Sequence, residues 1–191
     1  ADSSALVHLP FLFWLVEAHA PKRVVQLGVD DGVAYQAICQ AIDKLGLDAA
    51  CRGISLFGER EANPDAIAHN DAFYEEFSIL TTEKLPTAHR HFRKGGIDLL
   101  LINTPLDAES ATVLAQKWND KLSDRGLIVV LDSKRRMIEE GAADWLDPLL
   151  ETCPAIEFDQ GEGLLVLAVG PDQDGRIRRL ADLELGMGGY R

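Results

Sequence analysis

The run Ile97-Asp-Leu-Leu-Leu-Ile102 constrains this chain more than any other feature. A short and almost unbroken apolar stretch reads as a strand buried on both faces, because a half-exposed strand would alternate polar with apolar residues. Similar runs recur along the chain. Arg23-Val-Val-Gln-Leu27 closes at Gly28, Arg52-Gly-Ile-Ser-Leu-Phe57 ends at Gly58, and residues 127–131 follow a predicted turn, Ser123-Asp-Arg-Gly126. Residues 77–80 form a shorter run. Helices are expected between these strands. One spans residues 6–20, and another spans 33–45 and stops at Gly46. A third enters through Asn63 as cap with Pro64 in its first turn and ends near Tyr74. The others run from Thr81 or Thr82 to the glycines at 95–96, from Asp107 to Leu122, and over 137–151. Residues 154–158 and 164–169 then follow as consecutive strands joined through Gly161 and Gly163. Five alternations closed by a hairpin specify an α/β fold, with a mostly parallel sheet, helices on both faces and one antiparallel edge.

A length of 191 residues suits one domain, and 47% hydrophobic with 26% charged residues is ordinary globular composition. Lys and Arg total 19 against 31 Asp and Glu, a formal net charge of −12. That balance argues against a general nucleic-acid binder and against docking on anionic lipid. No uncharged apolar run reaches the ~18 residues that a membrane span needs. Cys39, Cys51 and Cys153 lie far apart without metal-ligand spacing, and read as free thiols of a reducing, cytoplasmic compartment. The opening Ala-Asp-Ser-Ser has neither a starting Met nor a signal-peptide pattern, which reads as one module of a longer protein. Residues 1–170 are expected to form the domain and 171–191 a polar tail or linker, helical over 176–185. Trp14 and its neighbours permit a homodimer.

In open parallel sheets, ligands bind beyond the carboxyl ends of the strands. The first strand exits here through Gln26-Leu-Gly-Val-Asp-Asp-Gly32. Gly28 permits a tight turn and Gly32 a close entry to the next helix. Asp30 and Asp31 either face a positive ligand group or are solvated turn residues. Asp132, after the fifth strand, is either a base or substrate anchor or a helix cap. Lys134-Arg135-Arg136 beside it is either a grip for an anionic sugar nucleotide or a solvated loop. His8 and His19 on the first helix read as packing or surface residues, and His89 and His91 as helix-end residues. The full G-x-G-x-x-G pattern is missing, which disfavours a dinucleotide oxidoreductase.

Pro21-Lys-Arg-Val-Val-Gln-Leu-Gly-Val-Asp-Asp-Gly-Val-Ala-Tyr35 resembles the first motif of class I S-adenosylmethionine-dependent methyltransferases. With Phe11-Leu-Phe-Trp-Leu-Val-Glu17, the 97–102 strand, Lys121-Leu-Ser-Asp-Arg-Gly126 and residues 161–170, it is similar to a small subgroup. Members occur alone or joined to bacterial polysaccharide glycosyltransferases. The resemblance implies a Rossmann-like seven-stranded sheet of order 3-2-1-4-5-7-6 with strand seven antiparallel. It implies S-adenosylmethionine as cofactor, contacted by Gln26, Gly28, Asp30, Gly32, Ser55 and Asn103, with Asp132 as the catalytic or acceptor-binding residue. Some relatives hold magnesium on carboxylates at the ends of the fourth and fifth strands, but Asn103 and Asp132 are a poor site for a hard dication, so no metal is expected. It further implies a small-molecule or glycan acceptor and a glycosyltransferase domain as partner in the same longer chain. The chain departs from the family at three places. Gln26 stands where an acid usually anchors the methionine part. Ser55 stands where an acid usually takes both ribose hydroxyls, with Glu59 as a nearby substitute. Leu101-Ile-Asn-Thr104 replaces a His-Ile-Asp-Gly pattern. These departures leave a second expectation beside the enzyme, a catalytically silent module of the same fold that serves as scaffold or docking domain for a glycosyltransferase.

Overall fold

A computed structural model describes residues 3–56 and 63–187, with side chains through Asp182. A 3₁₀ segment, Ser4–His8, leads into helix α1 (Leu9–His19). Strand β1 (Arg23–Leu27), helix α2 (Val33–Leu45), strand β2 (Ala50–Leu56) and helix α3 (Pro64–Phe73) follow. Then come strand β3 (Ser78–Glu83), a short helix α4 (Leu85–Ala88), strand β4 (Ile97–Ile102) and helix α5 (Ala108–Val113). Strand β5 (Leu122–Leu131), helices α6 (Ser133–Arg136) and α7 (Ala142–Thr152), strands β6 (Ala155–Phe158) and β7 (Leu164–Ala168), and helix α8 (Gly175–Met187) complete the chain.

The strands form one sheet of order β3-β2-β1-β4-β5-β7-β6. The first five pair in parallel, and β7 runs antiparallel to both β5 and β6. Both faces are covered. Leu12, Leu15 and Val16 of α1, Ile38 and Ile42 of α2, and Ile177 and Ala181 of α8 pack on one face with Val24, Leu99, Leu101 and Val129. Trp118, Trp145, Leu114 and Leu146 cover the other with Val25, Leu27, Leu100 and Val130. The unbroken apolar runs are therefore strands sandwiched between two helical layers. The segment after Gly170, expected as a polar tail, places Ile177 and Ala181 in this core. Their spacing of four residues puts both on one side of α8.

Several expected boundaries shift. Thr81 and Thr82 do not cap a helix. They continue β3 in register with Ile54 and Ser55 of β2, and only Leu85–Ala88 is α-helical before a 3₁₀ turn over His89–His91. Asp107 caps α5 as expected, its carboxylate accepting from the Ser110 amide at 2.8 Å. The α-helix stops at Val113 and relaxes into a π turn over Leu114–Trp118, short of Leu122. The turn predicted at 123–126 is a bulge inside β5, because Leu122 pairs with Ile97 while Leu127 already pairs with Leu99. The helix predicted over 137–151 begins only at Ala142, as α7, and a separate short helix, α6, precedes residues 137–141.

Asp98 ties the amino ends of β1, β4 and β5 together. Its carboxylate accepts the amides of Lys22 (2.8 Å) and Arg23 (3.1 Å) and the hydroxyl of Ser123 (2.6 Å). Partial burial pushes its carboxyl up, but the Ser123 hydroxyl and the two amides outweigh burial and hold it below the ordinary carboxylate value. A depressed folded value means stability that is present above the unfolded pKa of about 3.9 and is lost as pH falls through the lower folded one. Asp98→Asn is therefore expected to lower the urea midpoint at neutral pH. It should also flatten the fall in wild-type stability as pH drops below about 4. Urea unfolding followed by circular dichroism between pH 2 and 7 checks both.

Candidate functional site

The carboxyl ends of β1 and β4 meet at Gly28. The Asn103 amide donates to the Leu27 carbonyl, and the Gly28 amide to the Ile54 carbonyl, each at 2.8 Å. Gly28 has φ +79°, and a Cβ there would overlap the Asn103 carbonyl oxygen and lie 2.8 Å from its carbon. Only glycine fits, for two independent reasons, the left-handed backbone and the neighbouring strand. Gln26 is buried and its Nε2 donates to the Gly28 carbonyl at 2.9 Å, which leaves Oε1 buried and unpartnered. Gln26, Gly28 and Asn103 thus form one contiguous cluster.

The rest of the loop leans the other way. Asp30, with φ +51°, accepts the Asn63 amide on its carbonyl at 3.0 Å. Gly32 caps α2 with φ +82°, and a Cβ on it would sit 2.5 Å from that of Ala66 in α3. Asp31 accepts from the Val33 amide at 3.0 Å, the local role that Asp favours in turns. The start of α3 therefore covers the Gly32 end of the turn. Ser55 is buried in β2, one residue before its end, in register with Thr82. Glu59, the alternative ribose partner, lies outside the described residues. An open groove of about 620 Å³ lies on the flank of α2 against α1 and α3, among Leu9, Phe13, Gln40 and Phe73, rather than over the strand ends.

Asp132 lies at the exit of β5, the strand beside β4, with φ +53°. Its Oδ1 accepts the Ser4 hydroxyl at 2.6 Å and its Oδ2 pairs with Arg135 at 3.1 Å. The carboxylate caps no amide of α6. Ser4–His8 lies across this edge. Val7 would stand 3.1 Å from a Cβ on Gly161, and the His8 ring sits edge-on to Phe158 at 6.5 Å. Burial pushes the His8 imidazole below its ordinary value, offset in part by the Gln160 carbonyl and the Asp132 carboxylate.

The basic triplet forms α6 rather than a loop, and each member is engaged within the chain, although Lys134 and Arg135 remain exposed. Lys134 donates to the carbonyls of Asp159 and Gly161, and Arg135 holds Asp132. Arg136 is 4% exposed. Its Nη1 pairs with Glu139 at 3.1 Å and its Nη2 donates to the Asn103 carbonyl at 3.3 Å. Burial and the neighbouring Arg135 pull its guanidinium below the ordinary value while Glu139 opposes them. Sequence reasoning singled out the triplet but missed the partners. Arg136 and Glu139 are three residues apart, but Glu139 lies beyond the end of α6 in the turn over residues 137–141, so helical spacing did not signal the pair. Ser4 carried no signal, because its position depends on how the segment before α1 folds back, whereas His8 read as a packing or surface residue and is buried. Among the described residues, no group of three or more His, Cys, Asp and Glu could hold a metal ion. Likewise, no helix among them is long and apolar enough to cross a membrane.

A methyltransferase domain family matches residues 25–133, more than half of the chain, and the chain belongs to that family. A curated relative, the uncharacterized protein y4gI of Sinorhizobium fredii, is 28% identical over 179 residues. Those residues are 89% of this chain but 20% of that protein, so the chain spans about a fifth of its length. Solved structures share the fold at low identity. SAH-bound PaMTH1 of Podospora anserina aligns over 87% of this chain and 79% of its own, at 13% identity and a TM-score of 0.62. The O-methyltransferase TomG of Streptomyces achromogenes, solved with SAM, aligns over 88% and 81%, at 13% identity and a TM-score of 0.63. A methyltransferase of Geobacter sulfurreducens aligns over 87% and 79%, at 18% identity and a TM-score of 0.58.

Gly28→Ala is expected to destabilise the fold by at least ~2 kcal/mol. A left-handed L-residue alone costs about 1–2 kcal/mol, and the overlap with Asn103 adds to it. Chemical denaturation of the purified variant checks this, and a change under ~0.5 kcal/mol would show that the β1–β4 junction yields easily.

Proposed function

We propose that the chain is an S-adenosylmethionine-dependent methyltransferase acting on a small-molecule or glycan hydroxyl. The single observation that carries the reading is the buried Oε1 of Gln26, left without a partner beside the Gly28 turn at the family's methionine-binding position. An amide oxygen can accept from an ammonium group, directly or through water, although it cannot neutralise it. The residues therefore fit the methionine end of the cofactor. At the ribose end, Ser55 offers one hydroxyl in place of a two-oxygen acceptor. When bound, S-adenosylmethionine supplies an electrophilic methyl group on a sulfonium. The chain's own part is to hold and align. Gln26, Gly28, Asp30, Gly32, Ser55 and Asn103 would form the cofactor side. Asp132 would hold the acceptor, and support for that role is that its Oδ1 already accepts one alkyl hydroxyl, that of Ser4. An acceptor hydroxyl placed there would give its proton to the carboxylate while being positioned for in-line attack. Most of the rate gain would come from positioning, which can supply ~7–11 kcal/mol of the barrier. The link to polysaccharide assembly, beside a glycosyltransferase in a longer chain, rests on the subgroup resemblance. It fits a relative that extends far beyond the matched region.

A second reading, a silent module of the same fold, is favoured by one specific observation. Neither strand-end acid of the family is present at Gln26 and Ser55, and both oxygens of Asp132 already have partners within the chain. Losing two charged or bidentate contacts at about 1.5–3 kcal/mol each would weaken cofactor binding by a factor on the order of 10²–10³ or more. Isothermal titration with S-adenosylmethionine and S-adenosylhomocysteine separates the readings. We expect dissociation constants in the low micromolar range. No heat up to millimolar ligand would overturn the enzyme and leave the silent module.

A further inference from the structure

We propose that the groove bounded by α1, α2 and α3 is the contact face of a two-fold dimer, and that its occupant is the same face of a second copy of this chain. This face is independent of the cofactor reading, because it lies on the flank of α2 rather than over the strand ends.

The amino-terminal helix needs cover. Residues 3–16 contain no Asp, Glu, Lys or Arg, and Glu17 is the one such residue in α1. A helix that is apolar all round belongs inside a structure rather than on its surface. Leu12, Leu15 and Val16 satisfy that against the sheet. Helix α8 meets the carboxyl-terminal end, where Arg176 donates to the Glu17 and Ala18 carbonyls. The amino-terminal end is more open. Leu6 and Val7 just before it are 47% and 57% exposed, and Leu9, Phe11, Phe13 and Trp14 are only half-buried.

The groove supplies the matching shape. Gln36, Ala37 and Gln40 of α2 lie between Leu9 and Phe13 of α1 and His69 and Phe73 of α3, around a hollow of about 620 Å³. Phe73 is 66% exposed, and its ring is fixed 4.6 Å from that of His69. One face therefore carries both a hollow and an exposed aromatic ring at its edge. A two-fold contact needs that combination, since each copy presents its projection to the hollow of the other.

Charge selects the occupant. Each copy has a net charge of −12, so two copies meet most easily where charge is absent or balanced. The only Asp, Glu, Lys or Arg residues lining the groove are Asp43 and Lys44, which pair at 3.2 Å. That pair is self-complementary, because in a two-fold contact each copy offers one charge of either sign to the other. A bilayer suits the face less well. Helices that lie on membranes carry Lys or Arg beside their apolar side, and residues 3–16 have neither.

Sedimentation velocity tests the dimer directly on the 191-residue chain. Between about 1 and 100 µM it is expected to show a monomer–dimer equilibrium with a Kd on the order of 10 µM. Phe73→Ser removes the exposed ring, and Gln40→Glu puts like charges into both hollows without changing their shape. Both residues are exposed, so circular dichroism and thermal melting should match the wild type. Each substitution should weaken the dimer by about tenfold or more. Raising NaCl from about 0.05 to 0.5 M should tighten the wild-type dimer by screening the repulsion between the copies. A wild type that stays monomeric at about 100 µM would overturn the proposal. If that monomer also floats with phosphatidylcholine vesicles, the face belongs to lipid instead. A dimer that neither substitution weakens, or that salt loosens, would place the contact on another surface and overturn it equally.

Discussion

The structure depends on how tightly β1 and β4 close at their carboxyl ends. The two strands pair in parallel up to Leu27 and Ile102, and the next residues, Gly28 and Asn103, press backbone on backbone. In most such folds the glycine after the first strand is explained by a ligand lying over it. Here the neighbouring strand already demands it. The glycine is needed to complete the sheet whether or not a small molecule binds, so its presence alone says little about catalysis. The informative group is Gln26 beside that contact, whose Nε2 is bonded to Gly28 while its Oε1 is left without a partner.

Much of the architecture was legible because burial on both faces leaves an unmistakable mark. Ile97–Ile102 and Arg23–Leu27 could be read directly, since a strand between two helical layers has no polar face to show. Local chemistry was equally clear at Asn63, whose side chain caps α3 by accepting the Asp65 amide at 2.9 Å, and at Gly46, which ends α2. The misreadings fall where tertiary pairing overrules local preference. Thr81 and Thr82 look like caps, but β-branched residues beside β2 gain more from the ladder. The stretch 123–126 has the composition of a turn, yet it stays in the sheet as a bulge, with Ser123 bonded to Asp98. The strand order itself came from resemblance, because periodicity cannot say which strands are neighbours.

The candidate site was legible as positions and opaque as chemistry. Gln26, Gly28 and Asn103 could be placed at strand exits from the sequence, and they do lie in contact. What could not be read was which of their atoms would already be satisfied. The same holds for the basic triplet, where a chain of net charge −12 suggested a conspicuous cationic patch. Folding engages those side chains within the chain, on Asp132, on Glu139 and on the carbonyls of the β6–β7 loop, and buries only Arg136. Side-chain pairing across more than a hundred residues, as between Ser4 and Asp132, leaves no trace in local pattern.

That last contact has a practical side. The segment before α1 is fastened at one point to the exit of β5, where Ser4 and Arg135 share the carboxylate of Asp132. Any peptide fused upstream, whether a purification handle or a neighbouring domain, would emerge beside that acid. The amino-terminal junction is thus tied to the edge of the sheet at Asp132 rather than being a passive entry to the fold.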